Sequence, residues 1–213
     1  MTGVSLTTEA YTRLRQEIIR GEIRPNERLI AADLADRLEI SRTPVREALQ
    51  LLASEGLVEA VKRGYAVREP SRDEIREIYE VRAALEGMAA RLAAERGTAE
   101  ALAAIRDIGA HELSLGSSPR QRLVDLNEKF HTAIFTAANN PRLSNINLRN
   151  SKHFFNYRIA ELYTDDEAHA SVLGHRRIVE ALTERNPDEA ERAAQEHVFD
   201  GLDVTLQKIS WRR

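Results

Sequence analysis

Three of the six histidines fall where helical geometry would gather them. His131 follows Asn127 by four residues, so both lie on one side of a helix. His175 is in line with Ile178 and Leu182, and His197 with Ala193, Gly201 and Val204, which places each ring on the apolar side of its segment. Each is eleven residues from Asn186, where Asn186-Pro187 breaks the helical pattern. Folded back as a hairpin, the two rings come level, ~16 Å from the turn at ~1.5 Å per residue. A single inward histidine is ordinarily a hydrogen-bonded core residue. Three at one level, with an amide oxygen at Asn127, make a donor set suited to a divalent ion that favours imidazole, Zn²⁺ first, with Mn²⁺ or Ni²⁺ as alternatives. Arg82 is the second anomaly, because it interrupts the apolar spacing Ile75, Ile78, Leu85, Ala89, Leu92. A buried guanidinium needs an anion. Either an internal carboxylate supplies it, or Arg82 awaits the carboxylate or phosphate of a ligand, which its planar fork binds with two parallel hydrogen bonds.

A different chemistry sits at Ser41 to Leu52. Ser41 is a good N-cap and Pro44 falls in the first turn, so a helix is expected from Arg42. Val45, Leu49 and Leu52 form its inward stripe, leaving Arg42, Thr43 and Arg46 on another face near its start. Arginine matches guanine O6 and N7, and threonine can meet a phosphate or a thymine methyl. Taken alone, the two arginines could equally be solvated. Their neighbours favour DNA. Ala31 to Leu38 reads as a short helix joined to Ser41 by Glu39-Ile40, which makes a helix-turn-helix. Before it, Ala10, Leu14 and Ile18 line a first helix that Thr7 or Thr8 should cap and Gly21 should end. After it, Leu57 to Val61 and Tyr65 to Val67 flank Lys62-Arg63-Gly64, a small hairpin with a basic tip able to reach phosphate or the minor groove.

The rest of the chain bounds these readings. Its 213 residues suffice for two small domains, and the formal net charge of −3 means that DNA binding must depend on local placement of cations. There is no cysteine, which removes disulfides and thiolate metal sites. The first residues lack the regions of a signal peptide, and no apolar run approaches the ~20 residues that span a bilayer, so a cytoplasmic protein with no membrane partner is expected. Arg68-Glu69-Pro70-Ser71 breaks both flanking patterns. The expected organisation is mainly α: a winged helix-turn-helix over residues 1–69, then an antiparallel all-helical bundle over 72–213. The bundle's helices are expected at 72–96, 98–115, 119–138, 142–163, 166–185 and 188–209.

Tyr11 to Val67 resembles the winged helix-turn-helix of the GntR family of bacterial transcription regulators. The resemblance rests on Gly21-Glu22-Ile23-Arg24-Pro25, Ala31-Ala32-Asp33-Leu34-Ala35, the string Ser41 to Leu49, and Glu55-Gly56-Leu57-Val58. It implies DNA contacts by Ser41, Arg42, Thr43 and Arg46, and by Arg63-Gly64 at the wing tip. Asn26 and Glu39 stand at positions where glycine is usual, and Ala32 replaces a contacting arginine of some members. The second half is similar to the FCD ligand-binding domain of the FadR-like branch. Here the matching residues are Asn127-Glu128-Lys129-Phe130-His131, Ala137-Ala138-Asn139-Asn140-Pro141, His175 to Leu182 and Ala193 to His197. This resemblance implies a divalent metal held by Asn127, His131, His175 and His197, with Asn127 where an aspartate is usual. It implies a small organic acid beside the metal, met by Arg82 and Arg149. The function it implies is that of a homodimeric regulator, a repressor by expectation, on a palindromic operator. Two rivals stand beside it: a regulator that senses the metal itself, and a metal-dependent enzyme, for which no general base is evident and the Ser41 string would have no use.

Overall fold

The computed structural model describes residues 5–19, 21–114, 120–150 and 163–210. These form two compact units that part between Pro70 and Ser71.

The first unit contains α1 (Leu6–Ile19), β1 (Arg28–Leu29), α2 (Ala31–Leu38), α3 (Arg42–Ser54), β2 (Val58–Ala60) and β3 (Tyr65–Val67). Its core follows the apolar spacing: Leu14 and Ile18 of α1 meet Val45, Leu49 and Leu52 of α3, and all five are fully buried. Three local features differ from expectation. The cap of α1 is Ser5, whose Oγ accepts from the Thr8 amide at 3.2 Å, so neither Thr7 nor Thr8 is the cap. Ser41 has the extended backbone of an N-cap, yet its hydroxyl makes no capping bond. Leu29, too short a run with Arg28 to show any period, pairs with Tyr65 and adds a third strand, giving the antiparallel order β1-β3-β2. The turns obey backbone sterics. Asn26 has φ 63° and Glu39 φ 57°, and Glu39 closes α2 as the Ile40 amide reaches back to the Ala35 carbonyl at 3.1 Å.

The second unit contains α4 (Arg72–Arg96), α5 (Ala99–Ser114), α6 (Arg120–Ala137), α7 (Pro141–Asn150), α8 (Asp165–Thr183) and α9 (Pro187–Ser210). The expected helix over 142–163 is seen as α7 as far as Asn150, and its continuation over 151–162 lies outside the described residues. Ser71 with Glu74 and Thr164 with Glu167 form capping boxes that fix the starts of α4 and α8. Between α8 and α9, Arg185 turns the chain at φ 49° and Asn186 Oδ1 caps α9 by accepting from the Glu189 amide at 3.2 Å. The core is a dense set of alanines around Phe130, Ile105, Ile178 and Leu182. Small side chains let α4, α8 and α9 approach closely. The buried face of α4 keeps Ile75, Ala89 and Leu92 of the expected seam and adds Tyr79, Ala83, Glu86, Ala90 and Ala93, while Ile78, Arg82 and Leu85 are half-buried at its edge.

Candidate functional site

Three imidazoles converge inside the bundle. His131 comes from α6, His175 from α8 and His197 from α9, and one ligand atom from each lies within 4.8 Å of the other two. His175 Nε2 and His197 Nε2 are 3.1 Å apart. That spacing is close to the ~3.3 Å edge of a tetrahedron whose metal–nitrogen bonds are ~2.0–2.1 Å. Packing holds the rings. Phe130 stacks on His175 at 4.3 Å, and the ring of His197 lies against Gly174, where an added Cβ would come 2.6 Å from His197 Nδ1. Only a glycine at 174 leaves that ring its place.

Two carboxylates complete the cluster, and neither was singled out in the sequence. Glu112 of α5 is hydrogen-bonded to His175 Nδ1 at 2.7 Å, which turns His175 Nε2 toward the other rings. Glu86 of α4 faces His131, its Oε2 3.0 Å from Nδ1. The contact lacks hydrogen-bond geometry, so Glu86 Oε2 is a buried oxygen without a hydrogen bond. A carboxylate behind each of two imidazoles is the arrangement that orients histidine ligands on metals. A signal for both glutamates existed: Glu86 falls in line with Ile75, Tyr79 and Ala83, and Glu112 in line with Ile105 and Gly109. Glutamate reads as surface, so the periodicity was overruled by residue type.

The electrostatics suit a cation site. Burial holds His175 and His197 well below the usual histidine range, with neighbouring rings adding to the effect, so both are neutral and keep a lone pair for a metal. Burial pushes the Glu112 carboxyl up to about 7. Burial acts on Glu86 in the same sense, but the Arg82 guanidinium and His131 outweigh it and hold its carboxyl well below the usual range. The donor set, three imidazole nitrogens with a carboxylate behind two of the rings, fits a divalent ion.

The remaining expected residues divide. Arg82 has an internal partner, with Nε and Nη2 each 3.1 Å from Glu86 Oε1, and its guanidinium lies 4.7 Å from the Tyr79 ring centre. Asn127 is half-buried one turn before His131. Arg149 is exposed on α7, where Nε donates to the Asn145 carbonyl at 3.4 Å. In the first unit Ser41, Arg42, Thr43 and Arg46 form one exposed face at the start of α3, and Arg63-Gly64 are exposed at the β2–β3 tip. Gly64 has a structural reason as well: φ is 94°, and an added Cβ would lie 2.4 Å from the Leu29 carbonyl oxygen.

Comparison with known proteins decides the class. Residues 6–67 match the domain described as "Bacterial regulatory proteins, gntR family", and residues 77–200 match the FCD domain. The chain belongs to the GntR family. It is a DNA-binding transcriptional regulator of that family, with an FCD domain following the winged helix-turn-helix. Among its relatives is the HTH-type transcriptional regulator YdhC of Bacillus subtilis, 30% identical over 194 residues, covering 89% of this chain and 84% of the relative. The Nta operon transcriptional regulator of Aminobacter aminovorans is 30% identical over 187 residues, covering 87% and 88%. The solved structure of E. coli McbR/YncC superposes with a TM-score of 0.77 at 25% identity, covering 97% of this chain and 100% of that one. Relatives and domains are those of regulators, which sets the enzyme reading aside. Among the described residues no helix is long and apolar enough to cross a membrane.

Proposed function

We propose that this GntR regulator is a cytoplasmic homodimer that represses transcription from a palindromic operator until a small carboxylate binds in its FCD domain. The base and phosphate contacts come from Ser41, Arg42, Thr43 and Arg46 at the start of α3, and from Arg63-Gly64 at the wing. In the FCD domain His131, His175 and His197 hold a divalent ion, Zn²⁺ in the first instance, with Asn127 as a weaker oxygen donor. The ion would supply a Lewis-acidic point for one carboxylate oxygen. Arg82 meets the acid's negative charge, exchanging Glu86 for it. Glu112 and Glu86 keep the His175 and His131 rings facing the centre.

The observation that carries this reading is the pairing of His175 and His197 through Nε2 at 3.1 Å while Glu112 occupies His175 Nδ1. The same contact is satisfied without metal if His197 Nε2–H donates to His175, so a measurement must separate the two. Thermal melting of chelator-treated protein, with and without Zn²⁺ and a panel of organic acids, does so, because a ligand of the folded state raises the midpoint. Stabilisation by one acid class that requires Zn²⁺ supports the reading. Stabilisation by Zn²⁺ with no response to any acid would favour a metal sensor, and no response to Zn²⁺ would leave the histidines as a packed core.

A further inference from the structure

The wing carries a cation that neither the helix-turn-helix pattern nor the hairpin tip marks out. Arg28 is exposed on β1, at the edge of the three-stranded sheet. Its Nε donates to the carbonyl of Arg63 at 2.8 Å. One bond therefore ties the edge strand to the tip of the β2–β3 turn, which is closed by the Val61 amide donating to the Gly64 carbonyl at 3.1 Å. The bond also fixes where the guanidinium sits. Arg28 pairs with Ala66, and Ala66 pairs with Glu59, so the three share the exposed face of the sheet with Glu59 two strands away, ~10 Å. Among the described residues no acid pairs with Arg28, and using Nε leaves both terminal nitrogens for another acceptor. Lys62 and Arg63 are exposed beside it.

We propose that Arg28 is a DNA-contacting residue of the wing, held against the tip by its Nε and binding a backbone phosphate through its terminal nitrogens. A guanidinium braced at one nitrogen loses less freedom on binding than a free lysine would, and a phosphate accepts its fork in bidentate fashion. The contact carries no base information and positions the wing instead. This rests on the β2–β3 tip being a DNA-contacting wing, and the test separates the two.

The test is binding of the full chain to a random-sequence duplex, followed by fluorescence anisotropy from about 0.05 to about 0.2 M salt. Arg28→Gln keeps a donor for the Arg63 carbonyl and removes the charge, Arg28→Lys keeps the charge, and Arg63→Gln probes the tip. The expected result for Arg28→Gln is a log–log salt slope lower in magnitude by about 1 and binding weaker by about fivefold near 0.15 M salt, with Arg28→Lys keeping the parent's slope and binding between the parent and Arg28→Gln. An unchanged Arg28→Gln beside a weakened Arg63→Gln would overturn the proposal and leave the wing intact. Both unchanged would overturn the wing reading with it. Equal weakening of the Gln and Lys variants with the parent's slope would reduce Arg28 to a brace for the turn.

Discussion

Replacing Gly174 with alanine separates the proposed metal site from the stability of the bundle that contains it. The added Cβ would lie 2.6 Å from His197 Nδ1, 3.4 Å from Cγ and 3.5 Å from Cβ of the same residue. An ordinary contact needs ~3.4 Å or more, so the ring must withdraw by ~0.8 Å. Metal sites tolerate errors of about 0.2 Å in ligand distance, and a displacement of that size removes His197 as a ligand. The bundle itself changes less. Gly174 lies inside α8, where alanine gains about 0.5–1 kcal/mol over glycine, against an overpacking cost of about 1–3 kcal/mol. The variant without metal should therefore melt within a few degrees of the parent. At a Zn²⁺ concentration near 100 times the parent's dissociation constant, the parent gains about 2.7 kcal/mol, worth about 5–10 °C for a chain of this size. Gly174→Ala should lose most of that gain. Differential scanning of both proteins, chelator-treated and Zn²⁺-loaded, reads the difference. A variant with the parent's full Zn²⁺-induced rise would refute the argument, because His197 would then bind no metal or bind it from another position.

Other consequences are independent of that one. Arg46→Ala should weaken binding to a cognate operator by about 1–3 kcal/mol, and a loss under twofold in gel-shift titration would remove Arg46 from the base contacts. Glu112→Gln should lower Zn²⁺ affinity by about 10–100-fold in competition with a chromophoric chelator, whereas equal affinity would deny Glu112 a part in orienting His175. Glu39→Gly should raise the urea midpoint of the DNA-binding unit by the equivalent of about 1 kcal/mol, since φ of 57° strains any side chain there; no rise would mean that the turn relaxes freely. Glu167 is bonded to Lys208 at 2.8 Å and to the Thr164 amide at 2.7 Å, and although burial works against it, the Lys208 bond first and the amide after it lower its carboxyl pKa. A depressed folded pKa contributes stability above the unfolded value, ~4.3, that is lost as pH falls through the folded value. Glu167→Gln should accordingly be less stable than the parent at neutral pH and converge with it below about pH 4; a gap that stayed constant with pH would assign the loss to packing.

How much of this was legible in the sequence depends on what each residue type signals. The exposed face at the start of α3 could be read because the N-cap position of Ser41, the permitted proline and the inward stripe all indicate one helix start, and the structure exposes Ser41, Arg42, Thr43 and Arg46 as that start requires. The meeting of His175 and His197 could be read because the hairpin turn sits midway between them. What stayed hidden was of two kinds. Glu86 and Glu112 obey the helical period of the core but belong to a residue type rarely buried, and only the neighbouring Arg82 and histidines make their burial tolerable. The partner of Arg82 belongs to the same omission: an internal carboxylate was one of the two anions its place demanded, but with Glu86 unnoticed it had no name, whereas Glu86 lies one turn along α4. The strand β1 escaped because Arg28–Leu29 gains its identity from pairing with β3 across more than thirty intervening residues, which no local pattern records.

The most direct test of the central claim is a count of metal. Chelator-treated protein is dialysed to equilibrium against Zn²⁺, Mn²⁺ and Ni²⁺ in turn, and bound metal per chain is measured by elemental analysis for the parent and for His175→Ala. One ion per chain is expected for the parent, from at least one of the three metals, and that ion should be lost in the variant. No metal above background in the parent, or the same amount in both proteins, would contradict it and return His131, His175 and His197 to the hydrophobic core as a hydrogen-bonded cluster.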